Sequence, residues 1–514
     1  MTGDLDIALL IGAAVLLVAV AAVRLSNRLG LPGLLVYLLI GMGLGEAGLG
    51  IDFTNAQLTR MLGFCALIVI IAEGGLTARW STLRPVLGLS AVLATLGVVI
   101  SVVVVGLAVH FILGLDWRLS LLYGAVLSST DAAAVFATLR RLRLPPGLVA
   151  TLEAESGMND APVVLLVLLL SVPSEPSHPW WYELLIVTYE LAAGAAIGLF
   201  VGLAGRWLLR HAALPSAGLY PIAAVGLTVL AYAGGAVAHA SGFLAVYVAG
   251  VVLGNGRLPH RQAILGFADG LAWVAQIGLF VLLGLLVSPK NLPDALVPAL
   301  VVGAALLLLA RPLSVVISAV AARPFRGPRR PGNRIGWRGS AFLSWAGLRG
   351  AVPIVLATIP LSTATRGAGG LFDAVFLLVI IFTLLQASTL APAARLLGVA
   401  APSEATEIHI ETAPLDRMRA DLLQIDVVPG SKLAGVHIDE LRLPVGASVT
   451  LVVRDGAGFV PASDTRLRTG DELLIVAVAD VRDAAERRMR AIGRRGRLAR
   501  WHGEDGDENP ARTR

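Results

Sequence analysis

Residues 155–160 read Glu-Ser-Gly-Met-Asn-Asp and lie inside an otherwise apolar segment, residues 148–171. That segment is long enough for a membrane-spanning helix, because about 20 residues cross a hydrocarbon core about 30 Å thick. Asn159 and Asp160 fall about thirteen residues past Gly147, which is roughly 20 Å along a helix that rises about 1.5 Å per residue. A carboxylate near the middle of a bilayer is costly, so Asp160 indicates a functional site.

The composition is that of a polytopic α-helical membrane protein. The 514-residue chain is 56% hydrophobic and 15% charged, whereas a soluble protein carries about a quarter charged residues. Apolar runs of near-spanning length predict thirteen transmembrane helices in a lipid bilayer. These spans cover approximately residues 7–23, 31–49, 60–78, 86–113, 118–139, 148–171, 183–206, 217–238, 241–256, 263–288, 292–322, 338–360 and 371–398.

The distribution of basic residues predicts the orientation. When the loops are numbered from the N-terminus, odd loops carry about 17 basic residues and even loops about 4. The positive-inside rule therefore places the odd loops in the cytoplasm, the N-terminus outside the inner membrane, and everything after Arg395 in the cytoplasm. Because the net charge of +6 is concentrated in these short loops, it does not indicate nucleic-acid binding.

The character of the chain changes after the last span. We expect a membrane domain over residues 1–400 and a polar linker over 401–414, with a small α+β domain over 415–492 and a disordered tail over 493–514. Alternating and β-rich patterns predict three strands, and polar runs predict two helices. The strands are expected at residues 421–428, 447–453 and 472–478, and the helices at 430–441 and 480–492.

Span five brings a second polar group to the same depth as Asp160. Thr130 and Asp131 lie about twelve residues into that span, which enters the membrane from the opposite side. Together with Ser156 and Asn159, these residues supply only oxygen ligands, which hard monovalent cations prefer. The alternative is an internally hydrogen-bonded cluster that merely locks two helices together.

Four further charged residues are expected inside the spans. Glu155 needs a buried partner, and the candidates are Arg311 in span eleven, which we favour, and Arg349 in span twelve. Such a pair would be structural. Glu73 in span three either lines an ion passage or is paired structurally.

Spans five and twelve are predicted to be broken helices. Span twelve contains Gly347, Arg349, Gly350 and Pro353 within seven residues, a composition that interrupts a helix. One discontinuous helix in each half of the chain indicates a transporter built from inverted repeats, with its site at the midplane. The opposed half-helix ends could be compensated by Asp131 and Arg349.

These motifs, in this order, resemble the monovalent cation/proton antiporters, and more narrowly the electroneutral sodium/proton and potassium/proton exchangers with an Asn-Asp pair. The carrying residues are Ser129-Thr130-Asp131, the 155–160 stretch, Ala310-Arg311-Pro312 and Gly347-Leu348-Arg349-Gly350. The soluble segment resembles a TrkA-C (RCK C-terminal) domain. Its carrying residues are Gly430–Gly435, Arg454-Asp455-Gly456, Pro461–Thr465 and Gly470-Asp471. A membrane exchanger with this tail is similar to bacterial potassium/proton antiporters.

The resemblance implies a homodimer in which spans one to three and eight to ten form a scaffold. Spans four to six and eleven to thirteen would form a mobile core that moves as an elevator. It further implies Asp160 as the carboxylate shared by cation and proton, with Thr130, Asp131 and Ser156 as ligands. Asn159 stands where electrogenic relatives have a second aspartate. The TrkA-C-like domain would bind a small regulatory ligand such as a nucleotide.

Two other classes of protein share some of these sequence features. A ligand-gated cation channel would share an acidic pore and a regulatory tail, but no segment resembles the carbonyl filter of such channels. An intramembrane hydrolase could use Asp131 and Asp160 as a carboxylate dyad, but paired broken helices fit transport better. Without a nucleophile–base set or an ATP-binding motif, we expect a secondary transporter with no cofactor. The residues leave the choice between potassium and sodium open.

Overall fold

The computed structural model divides into two compact units between Ala401 and Pro402. It describes residues 6, 10, 12–22, 33–46, 48–50, 53, 55–130, 144–172, 179–256, 258–325, 336–347, 349–399, 410–415, 420–478 and 480–496.

Every predicted span contains a helix among the described residues of the first unit. In chain order these are α1 (Gly12–Ala22), α2 (Gly33–Leu44), α3 (Ala56–Thr77), α4 (Leu87–Leu113), α5 (Trp117–Ser128), α6 (Pro146–Ser171), α7 (Trp180–His211), α8 (Leu219–Val237), α9 (Gly242–Gly254), α10 (Arg261–Leu286), α11 (Pro289–Ala321), α12a (Trp337–Trp345), α12b (Ala351–Ser362) and α13 (Ala368–Leu396). Eight helices in the described part of the chain are long and apolar enough to cross a membrane. The prediction of a polytopic α-helical membrane protein is confirmed.

Several helix ends are set by short polar side chains in the extramembrane turns. Asn55 Oδ1 accepts a hydrogen bond from the Leu58 N–H at 2.9 Å at the start of α3, and Asp116 caps α5 through Leu119 at 3.0 Å. These side chains satisfy backbone donors that have no partner inside the helix. Between α8 and α9 the chain turns within four residues, where His239 takes a positive φ of 50°.

Close packing sorts most of these helices into two sets. One set contains α2, α3 and α7–α10, and the other contains α4–α6 and α11–α13. Small residues allow the contacts within each set: a Cβ on Gly41 in α2 would lie 2.1 Å from the Val281 carbonyl oxygen in α10. In the second set, a Cβ on Gly124 in α5 would lie 2.5 Å from the Val102 carbonyl oxygen in α4. Helices α3 and α9 carry contacts between the two sets.

The second set has an internal repeat. A long helix with a π-helical turn, a broken helix and a further long helix occur in α4–α6 and again in α11–α13. The π turns cover Leu93–Gly97 in α4 and Ala305–Ala310 in α11. Each π turn packs against the regular part of the other helix, so the two triplets interlock. This pattern agrees with the predicted inverted repeats.

In both spans predicted to be broken, the helix is interrupted among the described residues. Helix α5 ends at Ser128, and Ser129 has extended backbone angles of −65° and 141°. We call Ser129 and Thr130 the span-five break; residues 131–139 of that span lie outside the described residues. Span twelve consists of α12a and α12b, and residues 346–350 between them are called the span-twelve break.

The second unit contains a five-stranded antiparallel sheet and one long helix. The strands are β1 (Ile410–Leu415), β2 (Ala420–Asp426), β3 (Ala447–Arg454), β4 (Ala457–Phe459) and β5 (Glu472–Val478), in the spatial order β1-β2-β5-β3-β4. Helix α14 (Arg482–Arg495) packs on β2 and β5. It buries Ala485, Met489 and Ile492, which lie three to four residues apart on one helix face.

Two predictions for this unit were wrong. The expected linker over residues 401–414 overlaps β1, whose Ile410 pairs with Ile425 and whose Leu415 pairs with Ala420. Polar residues and Pro414 obscured this strand, and an edge strand tolerates such a proline. The helix expected over 430–441 is a series of turns ending in a single 3₁₀ turn, because Gly430 and Gly435 take positive φ values of 90° and 92°. Helix α14 continues to Arg495, and the tail from residue 497 lies outside the described residues.

Candidate cation site

Asp160 lies in the middle of α6 and is buried against the span-five break. Its side chain is 5% exposed, and the Ser129 hydroxyl donates a hydrogen bond to its Oδ1 atom at 2.6 Å. If α5 continued as a regular helix through Ser129, this residue would take part in the hydrogen bonds of the helix. Because α5 ends at Ser128, the Ser129 hydroxyl reaches the Asp160 carboxylate. The contact joins the end of α5 to the middle of α6.

Two more α6 side chains bind the same break. The Ser156 hydroxyl donates to the Thr130 carbonyl oxygen at 2.6 Å, and the Asn159 amide donates to the Thr130 hydroxyl at 2.6 Å. All of these residues are at most 5% exposed. Unpaired backbone groups are very costly inside a membrane, so the α6 side chains both allow the break and hold it against Asp160.

Most polar side-chain atoms of this cluster are oxygen atoms. Carboxylate, hydroxyl, carbonyl and amide oxygens come from Asp160, Ser129, Thr130, Ser156 and Asn159. The Asn159 Oδ1 atom is buried and accepts no hydrogen bond from the described residues. An oxygen set of this kind suits a hard monovalent cation. The described part of the chain contains no cluster of His, Cys, Asp and Glu that would hold a transition metal.

Two predicted site residues are not part of this geometry. Asp131 lies outside the described residues. Glu73 is half-buried in α3, on the turn beside Ala72, whose carbonyl oxygen would lie 3.1 Å from a Cβ on Gly250 in α9. Glu73 therefore belongs to the first packing set, while the oxygen cluster belongs to the second.

The buried glutamate of the motif is paired with Arg311. Arg311 Nη2 donates to Glu155 Oε2 at 3.1 Å, Nη1 donates to Oε1, and both side chains are nearly inaccessible. Nη2 also donates to the Leu343 carbonyl oxygen of α12a at 3.2 Å. A Cβ on Gly347 would lie 2.5 Å from Arg311 Nε, so the guanidinium occupies the space that this glycine leaves open. The pair ties α6, α11 and the span-twelve break together.

Arg349 lies in the span-twelve break itself. Its side chain is 1% exposed, and its Nε and Nη1 atoms have no hydrogen-bond acceptor among the described residues. The break thus holds a buried positive charge between the C-terminal end of α12a and the N-terminal end of α12b.

Ser129 and Tyr247 were not singled out from the sequence, although both contact the site. Ser129 precedes the Thr-Asp pair and was read only as part of the motif. Tyr247 in α9 packs its ring against Gly157, where a Cβ would lie 2.3 Å from the ring. No periodicity in the sequence indicates that contact, because it joins the two packing sets across 90 residues of chain.

The soluble unit brings two of its motifs together. Arg454 forms a bidentate ion pair with Asp471 at 2.7 Å for both hydrogen bonds, and the Arg468 N–H donates to the same carboxylate at 2.7 Å. Burial opposes ionisation of Asp471, but the hydrogen bonds from Arg454 and from the Arg468 backbone outweigh it and lower the pKa of this carboxyl. The pair fixes the β5 edge to the end of β3.

Fold and site together define a class of protein. A buried oxygen cluster formed at the break of an interrupted helix, within a helix set built from two repeats, is the arrangement of secondary transporters. Residues 13–396 match the family described as "Sodium/hydrogen exchanger, transmembrane", and residues 422–490 match the TrkA-C domain. The chain belongs to the sodium/hydrogen exchanger family and is a multi-pass cation/proton antiporter with a TrkA-C domain.

Similar proteins agree with this assignment. The chain is 37% identical over 488 residues to the "K(+)/H(+) antiporter NhaP" of Alkalimonas amylolytica, covering 93% of this chain and 83% of that protein. It is 34% identical over 479 residues to the "K(+)/H(+) antiporter NhaP2" of Shewanella baltica, covering 91% and 80%. The fold matches the sodium proton antiporter MjNhaP1 of Methanocaldococcus jannaschii with a TM-score of 0.64 at 23% identity, over 77% of this chain and all of that one. These relatives are transporters and not enzymes, and they give no support to the ligand-gated channel.

Proposed function

We propose that this antiporter exchanges a monovalent cation, potassium in preference to sodium, for a proton at the Asp160 carboxylate. The observation that carries the proposal is the contact between Asp160 and the span-five break through Ser129 at 2.6 Å. It supports a site in which Asp160, Thr130, Ser156 and Asn159 surround one dehydrated cation. The buried Asn159 Oδ1 atom accepts no hydrogen bond from the described residues, and a bound cation would satisfy it. Asp131 completes the proposed ligand set.

Competition for one carboxylate couples the two flows. Asp160 can hold a proton or a cation, and in either form its charge is neutralised. Moving an empty carboxylate through a low-dielectric region costs several kcal/mol, so the empty form cannot cross. Cation and proton therefore cross in turn and in opposite directions, without ATP. Because Asn159 cannot titrate, one cation should exchange for one proton, which makes the exchange electroneutral.

We assign structural roles to the charges around the site. The Glu155–Arg311 pair holds α6 against α12a, and Arg349 compensates the half-helix ends together with Asp131. Glu73 lies in α3, a helix that contacts both packing sets, which supports a role in the ion passage. Each assignment predicts a distinct defect when one residue is replaced. Replacing one member of the Glu155–Arg311 pair should destabilise the fold, and replacing Arg349 or Asp131 should abolish transport in a folded protein. Replacing Glu73 should weaken access of the cation to the site.

The two packing sets support an elevator mechanism in a homodimer. Contacts between the sets in the described chain are concentrated on α3 and α9; Val355 in α12b packs on Gly63 in α3, and Arg60 donates to Ser362 at 3.0 Å. A seam concentrated on two helices of the first set supports movement of the second set as a unit. We propose that α4–α6 and α11–α13 move against a scaffold formed by the other spans of two copies.

The C-terminal domain is proposed to be cytoplasmic and regulatory. Positive loops place the residues after α13 on the cytoplasmic side. The TrkA-C domain would bind a small ligand such as a nucleotide and change the exchange rate. Addition of candidate nucleotides to transporting proteoliposomes tests this directly, and an unchanged rate with every candidate would leave the domain a folding or dimerisation module.

The selectivity test uses purified protein in liposomes with an imposed pH gradient. Potassium, sodium and lithium are added in turn, and collapse of the gradient is followed by a fluorescent dye, with a potential-sensitive dye in parallel. We expect a potassium response and no potential change. A response to sodium alone would overturn the potassium assignment, and a potential set up by exchange would overturn electroneutrality. No response to any cation would contradict the proposed function.

A further inference from the structure

Helix α13 carries a row of polar side chains that faces the span-twelve break. Gln386 Nε2 donates to the Trp345 carbonyl oxygen at 3.0 Å, and Thr389 Oγ1 accepts from the Trp345 indole Nε1 at 3.0 Å. Thr383 Oγ1 lies 3.5 Å from the Arg349 carbonyl oxygen. These three residues recur every three positions, so they share one face of α13.

The break creates a need for such donors. A helix end leaves its last carbonyl groups without partners, and no water reaches them from a hydrocarbon core. At the end of α12a, Arg311 satisfies the Leu343 carbonyl, and Gln386 satisfies that of Trp345. Gln386 is therefore the α13 counterpart of Arg311, and the two hold the same half-helix end from opposite neighbours.

Gln386 is held at this position at an energetic cost. It is 1% exposed, and its Oε1 atom accepts no hydrogen bond from the described residues. A buried amide with an unsatisfied oxygen is unfavourable where an apolar side chain would pack freely. Among the described contacts, the hydrogen bond to Trp345 is the one polar interaction that offsets the cost of burying this amide. The side chain thus serves the break rather than the packing of α13.

We infer that Gln386 is a positioning residue for exchange, holding the span-twelve break so that Arg349 and the α12 half-helix ends keep their place beside the Asp160 helix. This inference rests on the proposed function. The path of contacts runs from Gln386 to Trp345, then through Gly347, which packs on Arg311, to Glu155 in the helix that carries Asp160. No hydrogen bond among the described residues joins Gln386 to the oxygen cluster.

Two variants test the hydrogen bond itself. Gln386→Met keeps the side-chain length and removes the donor, and Gln386→Leu removes both the donor and the amide oxygen. The matched control is Ser388→Ala, because Ser388 lies on the exposed side of the same helix and bonds only to α13 carbonyl groups among the described contacts. All three are made in the full chain.

Two readouts are measured on each protein. Hydrogen–deuterium exchange of the backbone amides at 346–350 reports the break whether or not the protein transports. We expect it to rise about tenfold in both Gln386 variants and not in Ser388→Ala. The half-saturating cation concentration for exchange in liposomes should rise about tenfold in the same two variants, at an unchanged melting temperature.

The outcomes separate the possible failures. Unchanged amide exchange at the break in both variants would overturn the inference, and so would faster amide exchange with an unaltered half-saturating concentration, which is what a purely structural residue gives. If the wild-type protein shows no cation/proton exchange, the proposed function is refuted and, with it, the transport role of Gln386. The amide-exchange result would still report whether Gln386 holds the break.

Discussion

Removing one partner of the buried Glu155–Arg311 pair should destabilise the protein strongly, whereas removing both should not. The pair is 2% and 5% exposed and bidentate, and Arg311 makes one further hydrogen bond, to Leu343. Glu155→Gln leaves a guanidinium that cannot lose its proton in a site without a counter-charge. Breaking a buried pair in this way costs about 3–5 kcal/mol. We expect that loss in the free energy of unfolding.

The opposite variant should respond to pH. Arg311→Met leaves a carboxylate, and a stranded carboxylate can take up a proton. Protonating a glutamate of ordinary pKa about 4.3 at pH 7 costs about 1.4 kcal/mol per pH unit, or roughly 4 kcal/mol, which limits the loss. The loss should therefore shrink as the pH falls, whereas that of Glu155→Gln should stay constant. The double variant should recover to within about 2 kcal/mol of wild type.

The assay is equilibrium unfolding of the purified protein in mild detergent, titrated with a denaturing detergent at pH 7 and at pH 5. Lys290→Met is the matched control, because Lys290 also pairs with a glutamate, Glu46, but at the surface. Exposed ion pairs contribute little, so that variant should unfold like wild type. Losses that simply add in the double variant, or that do not depend on pH in Arg311→Met, would refute the reasoning.

Three further predictions use other contacts. Gly157→Ala places a Cβ 2.3 Å from the Tyr247 ring and should slow exchange about tenfold in liposomes through overpacking; Gly157→Ala with Tyr247→Leu should recover most of the rate, and no recovery would contradict the contact. Gly347→Ala pushes on Arg311 Nε at 2.5 Å and should lower the melting temperature, whereas Gly336→Ala, which meets nothing within 4 Å, should not. The pKa of Asp471 is lowered in the folded domain, so its ion pair stabilises the domain above the unfolded pKa of about 3.9. That stabilisation is lost as the pH falls through the lower pKa of the folded state. Asp471→Asn should therefore reduce the domain's thermal stability at pH 7 and much less at pH 2, and equal losses at the two pH values would contradict the lowered pKa.

Much of the fold could be predicted because membrane spans are long and apolar. A run near 20 apolar residues has few alternatives to a helix in a bilayer, so all thirteen spans contain helices in the described chain. The breaks could be predicted too, since Gly347, Arg349, Gly350 and Pro353 cannot continue an ordinary helix there. The opposite charges of Glu155 and Arg311, both inside apolar spans, predicted their pairing, although the sequence alone left Arg349 as an alternative.

The remaining features depend on tertiary contacts that leave no local pattern. Ser129 faces Asp160 only because α5 ends one residue earlier, and a one-residue difference in that end would turn it away. Gln386 reads as one of a few polar residues in an otherwise apolar helix, and its role comes from the Trp345 carbonyl that it satisfies, 41 residues away. Strand β1 was missed because its pairing with β2 overrides a composition typical of a linker.

The account depends most on Asp160 as the shared carboxylate, and one measurement addresses it directly. Collapse of a pH gradient by potassium is compared in liposomes containing wild-type protein, Asp160→Asn, and Asp269→Asn as a matched control on the exposed side of α10. We predict exchange by wild type and Asp269→Asn and none by Asp160→Asn, with equal amounts of folded protein in all three. Cation-dependent collapse of the gradient by Asp160→Asn would contradict the account.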